Sequence, residues 1–173
     1  MSCWPRSLPY NALPLRLIER CKLDSLAHDR GGEKELQFHF AGRVPLLPVW
    51  HEAQLRVVRW GCRRRESRSL PVGGWMRLTR VESGYWSHCG AEPVDIPAAL
   101  GLNNGVWYGI REGMRDVLVP DENGVQRVYV ICEPASLYYG VMTRSAWMPV
   151  LIGERIRCCR NSANRSGRLD ERP

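Results

Sequence analysis

Lysine is nearly absent from this chain. Of its 25 basic residues only Lys22 and Lys34 are lysines, so 23 arginines face 18 acids and the net charge over 173 residues is +7. Arg carries a planar fork suited to phosphate, whereas Lys is a hydrated point charge. A GC-rich coding bias produces the same imbalance, so the ratio alone assigns no site. Long apolar runs are also missing. The longest uncharged apolar stretch in mid-chain, residues 44–50, holds two prolines, and a spanning helix needs about 20 apolar residues. Arg6 and Pro9 interrupt any signal-peptide core, which places the chain in the cytoplasm, with no membrane partner.

Metal-type cysteine spacing is absent too. None of the seven cysteines (Cys3, Cys21, Cys62, Cys89, Cys132, Cys158 and Cys159) forms a C-x2-C pair. His88 beside Cys89 has no second pair at ligand spacing. The expectation is reduced, mostly buried thiols, no metal site and no cofactor. The chain has no G-x-S-x-G, P-loop, H-E-x-x-H or dinucleotide fingerprint. Its four histidines are scattered, and His51, after a strand, is the one placed to act as an acid or base.

What is present is an ordinary globular composition, 44% apolar and 25% charged. The length fits one domain, roughly 100–200 residues. We place it at residues 1–156, as a monomer, followed by a basic disordered tail over residues 157–173. Pro14 and the spacing of Leu15, Ile18, Cys21 and Leu26 predict a helix over residues 14–28, closed by Gly31-Gly32. Alternation predicts strands from Leu36, over residues 44–50 and over residues 55–60. Pro45 and Pro48 push the second of these to a sheet edge. The last two join as a hairpin with a longer loop. Asp95 and Pro97 suggest the start of a short helix. Asn123-Gly124 is a type I′ hairpin signal between strands near residues 117–119 and 125–132. The fold class is α+β and β-rich: a curled antiparallel sheet or small open barrel with a few short helices.

The charge is concentrated. Residues 56–68 hold six arginines, among them Arg59, Arg63, Arg64, Arg65 and Arg68, against one acid, Glu66; residues 154–173 hold six more against three acids. Beside the first cluster stand Trp60 and Trp75. Arginines with aromatics offer phosphate contacts and stacking surfaces for unpaired bases, or the tryptophans fill the core.

These segments carry a resemblance. Arg43-Val44-Pro45-Leu46-Leu47-Pro48-Val49, then Arg59-Trp60-Gly61, with Leu70-Pro71 and Trp75 displaced by an arginine-rich insertion, are similar to motifs of the SOS-response-associated peptidase (SRAP) family. Thr79-Arg80-Val81-Glu82-Ser83 and Met148-Pro149-Val150-Leu151-Ile152 follow in the family's order, so the resemblance covers about residues 36–152. It implies a curled α+β fold that binds single-stranded or abasic DNA in a basic cleft during the DNA-damage response. It also implies capture of abasic sites by an N-terminal cysteine with a free α-amine, and autoprocessing peptidase activity. Arg80 becomes a phosphate contact, and Cys3 and Glu82 the candidate catalytic residues. This sequence departs from the family at its reactive positions. Ser2 precedes Cys3, Leu78 replaces Asn, Tyr108 replaces Glu and Ser145 replaces His. Those departures imply weak or lost capture. The other open reading is a structural or protein-interaction domain without a nucleic-acid role.

Overall fold

The computed structural model describes residues 6–153 and the backbone of residues 157 and 158. Strand β1 (Arg6–Pro9) leads through a short turn to helix α1 (Leu15–Cys21), whose buried face is Leu17 and Ile18. The helix stops at Cys21 rather than residue 28. Lys22 takes left-handed backbone (φ 54°) and its N–H returns to the carbonyls of Glu19 and Ile18, a helix-ending geometry. Next comes hairpin β2 (Ala27–Arg30) and β3 (Glu33–Phe38). It turns at Gly31-Gly32, where φ is 63° and 89°, as a two-residue turn with both central φ positive requires.

Hairpin β4 (Leu46–His51) and β5 (Gln54–Trp60) is tighter than expected: only Glu52 and Ala53 connect it, at φ 49° and 58°. Strand β4 is central, not an edge. It lies between β5 and β7 (Glu92–Ile96). The bond from the Trp60 N–H to the Pro45 carbonyl sets the alternation, which puts Pro48 opposite Val57 in a pair without hydrogen bonds. On its other side the ladder to β7 is the single pair Trp50–Asp95. The missing N–H of Pro48 is therefore not needed.

After β5 the chain forms β6 (Trp75–Arg77), α2 (Leu78–Glu82), β7, β8 (Leu100–Asn103), β9 (Val106–Gly109), β10 (Met114–Pro120), β11 (Gln126–Pro134), α3 (Leu137–Thr143), β12 (Trp147–Pro149) and β13 (Arg157–Cys158). The helix expected from Asp95 does not form. Val94 and Ile96 alternate with exposed Asp95, and Asp95 pairs with Arg115 in the ladder. The Asn123-Gly124 hairpin forms between β10 and β11, with positive φ at Gly124 alone. The Asp121 carboxylate stabilises its turn by accepting from the N–H groups of Asn123 and Val125.

Strands β10, β7, β4, β5 and β11 run in that order, and pairing of β10 with β11 closes them into a five-stranded barrel. The expected α+β, β-rich architecture with a small barrel is present, and the barrel is closed. Its one parallel joint is β5 to β11, through Arg59–Arg127 and Trp60–Val128. The second sheet has the order β13-β9-β8-β1-β3-β2. Its β13 lies inside the segment expected to be a tail; residues 159–173 fall outside the described residues. No helix among the described residues is long and apolar enough to cross a membrane.

Strands β10 and β11 are buried on both faces. Leu118, Val128, Val130 and Cys132 enter the main core with Trp60, Leu47 and Phe38. The alternate residues Val117, Val119, Tyr129 and Ile131 face outward into a second cluster with Cys62, Leu70, Met76 and Trp86. That outer cluster lies under the arginine-rich segment and gives it a floor.

Candidate nucleic-acid interface

The arginine-rich segment is an excursion from a continuous sheet edge. β5 pairs with residues 127–128 of β11, and β6 pairs in the same parallel sense with residues 130–132. Between them the Gly61 N–H donates to the Val128 carbonyl, and the Val130 N–H to the Gly74 carbonyl. Cys62 and Gly73 exchange two backbone hydrogen bonds of 2.9 and 2.8 Å. The neck is thus zipped, and the residues between bulge out as a compact loop. Glycine is required at the neck. Gly61 has φ 62°, and a Cβ there would lie 2.2 Å from the Gly73 carbonyl oxygen.

Carboxylates clamp the loop from inside. Arg127, buried on β11, donates through Nε to Asp121 at 3.1 Å and through Nη1 to Glu66 at 2.9 Å and the Gly61 carbonyl at 3.1 Å. Glu66 also accepts from the Arg63 N–H at 3.0 Å. That bond and the Arg127 guanidinium hold its carboxyl below the ordinary range against the cost of burial. On the far side Glu122 accepts from the Ser67 hydroxyl at 2.5 Å, the Ser69 hydroxyl at 2.8 Å and the Arg68 N–H at 2.9 Å. These bonds, Ser67 first, keep it well below the usual carboxylate range.

The predicted contact residues divide. Trp60 has no exposed surface and donates from Nε1 to the Gly74 carbonyl at 2.9 Å; it is a core residue. Trp75 is half-buried, edge-on to Trp60 with centroids 5.0 Å apart. Arg63 binds the chain itself, donating to the carbonyls of Phe40, Gly42 and Arg43. Arg59 is exposed but lies 3.6 Å from Glu66. Arg64, Arg65 and Arg68 are exposed, and among the described residues none of their side chains forms an ion pair. Arg80 is exposed on α2 with its guanidinium 5.4 Å from the ring of Tyr85, itself 53% exposed. Glu82 is exposed at the end of α2 without a carboxylate or basic partner among the described residues. Cys3 lies outside the described residues.

No family model, curated protein or solved structure matches this chain.

Of the positions that the SRAP resemblance made reactive, Tyr108 is fully buried and edge-on to Tyr139. Leu78 packs on the outer cluster, and the Ser145 hydroxyl donates to the Trp147 carbonyl. His51 contacts the Glu92 carboxylate through Nε2 and Arg56 through Nδ1, so it belongs to a surface charge network. Among the described residues no three ligating side chains cluster for a metal.

Sequence reasoning missed a polar group inside the molecule. Arg6 on β1 is 1% exposed, with Nε 3.1 Å from the Met114 sulfur and its guanidinium 5.6 Å from the Trp75 ring centre. Asp116, equally buried, accepts from the Ile131 N–H at 2.7 Å through one oxygen; the other has no hydrogen-bond partner among the described residues. Burial pushes this carboxyl up to about 8, against the opposing pull of that bond and of Arg6. Burial also pushes the Cys132 thiol up to about 12, which leaves it protonated and unreactive near neutral pH. Asn103 donates to the Tyr139 hydroxyl at 3.0 Å. These residues are spread from position 6 to position 139, and no local pattern joins them.

Proposed function

We propose that this chain binds single-stranded DNA through its arginine-rich loop, as a diverged SRAP-like protein of the DNA-damage response whose capacity for covalent abasic-site capture is weak or lost. One observation carries the reading. The zipped neck and the clamps at Glu66 and Glu122 hold the loop in one shape, while Arg64, Arg65 and Arg68 remain exposed and without ion pairs among the described residues. A loop whose backbone is already held loses little backbone freedom on meeting a phosphate chain. The resemblance supplies the substrate, and the buried Tyr108 at its glutamate position supports loss of the chemistry.

The test is incubation with a single-stranded oligonucleotide, with and without an abasic site, read by native and by denaturing electrophoresis. Binding should fall steeply with salt, and little or no band should survive denaturation. No retention of either oligonucleotide at low salt would overturn the reading. A protein-interaction role has its own support in α3, where Leu137 is 86% and Val141 74% exposed. Salt-independent behaviour with no oligonucleotide binding would favour it.

A further inference from the structure

A hollow of about 480 Å³ lies between the turn after α1 (Leu23–Leu26) and the segment that joins β3 to β4. That is within the ~300–1,000 Å³ range of small-ligand sites. Leu23, Leu26, Val44 and Leu46 wall it, and no Phe, Tyr or Trp lines it. Leu23 is in the main core, and Leu26 and Leu46 pack against that core. Val44, by contrast, is 49% exposed. The joining segment is held in place. The Gly42 N–H donates to the His39 carbonyl at 3.1 Å, and the Arg63 guanidinium donates to the carbonyls of Phe40, Gly42 and Arg43. One wall of the hollow is therefore pinned from the arginine-rich loop.

The polar groups that line the hollow include Lys22, His39 and Arg43, and no Asp or Glu is among them. Lys22 and Arg43 are exposed, and neither forms an ion pair among the described residues. Burial and the neighbouring His28 hold the His39 imidazole below its ordinary value, so the full cations here are Lys22 and Arg43. The acids of this region serve another group. Asp24 accepts from the Tyr10 hydroxyl at 2.6 Å, and that bond and the Asp24 and Glu19 charges raise the Tyr10 phenol. The Arg63 guanidinium, bound to carbonyls and not to a carboxylate, adds positive charge behind the wall. We infer that this hollow binds a small amphipathic anion, with an aliphatic body against Leu23, Leu26, Val44 and Leu46 and its acidic head on Lys22 and Arg43. Charge without an opposing acid selects an anion over a neutral or cationic ligand. Walls without an aromatic face suit an aliphatic body and give a nucleobase no ring to stack on.

The experiment is isothermal titration calorimetry of the full chain with three probes of equal chain length: octanoate, 1-octanol and octylammonium. Octanoate should bind roughly tenfold more tightly than 1-octanol, and octylammonium more weakly still. Lys22→Ala and Arg43→Ala should each weaken octanoate by about threefold to tenfold and leave 1-octanol unchanged. Arg43→Glu should reverse the order of octanoate and octylammonium. Val44→Trp should fill the hollow and abolish octanoate binding. Lys22, Arg43 and Val44 are all exposed, so thermal melting should confirm that these variants fold. Absence of octanoate binding by wild type overturns the site, and so does equal affinity for the three probes. Undiminished octanoate binding by folded Val44→Trp places the probe elsewhere and also overturns it. Displacement of octanoate by an oligothymidine overturns the amphipathic ligand in favour of a nucleic-acid strand. The variant Arg64→Ala/Arg65→Ala/Arg68→Ala should keep full octanoate affinity, which separates the hollow from the loop.

Discussion

Two buried arginines solve the same problem in opposite ways. Arg127, on the outer face of β11, is surrounded by two carboxylates and a carbonyl, all within 3.1 Å. The charge is matched, and both acids are held ionised below their ordinary range: Glu66 chiefly by the Arg63 N–H, Asp121 by turn N–H groups and Arg127 despite its burial. Arg6, on the second sheet, faces a sulfur atom, an indole and the buried Asp116, whose carboxyl burial keeps protonated. The first region is an ionic clamp that fixes a loop. The second keeps its carboxyl neutral. Charge count alone does not separate the two; the supply of hydrogen-bond donors to each carboxylate does.

The contrast can be broken most forcefully at the clamp. Arg127→Ala leaves Asp121 and Glu66 facing each other without their cation, and breaking a buried pair of this kind costs about 3–5 kcal/mol. Urea denaturation should show that loss, together with faster proteolysis within residues 61–74. A cost under about 1 kcal/mol would mean that the clamp is not structural.

The pH response sharpens the comparison next. Asp116 binds its proton more tightly folded than unfolded, so its stabilising contribution is complete below about pH 4 and is lost as pH rises toward 8. Glu66 and Asp121 have lowered pKa values, so their contribution is present above the ordinary carboxylate range and is lost in acid. Asp116→Asn should therefore flatten the decline on the alkaline side, at most about 1.4 kcal/mol per pH unit, and leave the acid limb unchanged. Melting temperatures at pH 5, 6.5 and 8 in matched buffers read this directly. An unchanged alkaline slope would show that Asp116 does not titrate there.

A smaller effect is expected at Gly101, which pairs with Arg6 across β1 and β8. A Cβ at this position would lie 2.4 Å from the Tyr108 ring and hydroxyl. Gly101→Ala should cost about 1–3 kcal/mol through overpacking, read by the denaturation midpoint. The smallest stability change belongs to the exposed arginines. Replacing Arg64, Arg65 and Arg68 with Ala should leave stability within about 0.5 kcal/mol of wild type, yet lower the salt slope of oligonucleotide binding by about 2.

The Asn123-Gly124 hairpin was legible because its signal is local: the dipeptide announces a turn whose strands follow by alternation. Gly31-Gly32 read only as the close of a helix, so strand β2 before it was not legible. Closure of the barrel was not legible, because it depends on Arg59 meeting Arg127, a parallel pairing with no adjacent signal. Pro48 misled for a related reason: proline marks an edge only when its N side needs a partner, and the short β4–β7 ladder removes that need. The basic cluster was placed correctly as a loop, but its members were indistinguishable in sequence. Arg63 and Arg64 are neighbours; one caps three carbonyls and the other is exposed without an ion pair among the described residues.

The place of β1 has a consequence for the order of folding. Arg6 pairs with Phe38 on one side and with Gly101 on the other, so the earliest described strand occupies an interior slot of the second sheet. On a ribosome that emits residues in order, one flank of that slot is available after some forty residues and the other only after a hundred. Until then β1, whose other side is already covered by β3, presents a bare edge to the surroundings. The slow closure of long-range pairs makes this interval the period when the nascent chain is most exposed to pairing with another copy of itself.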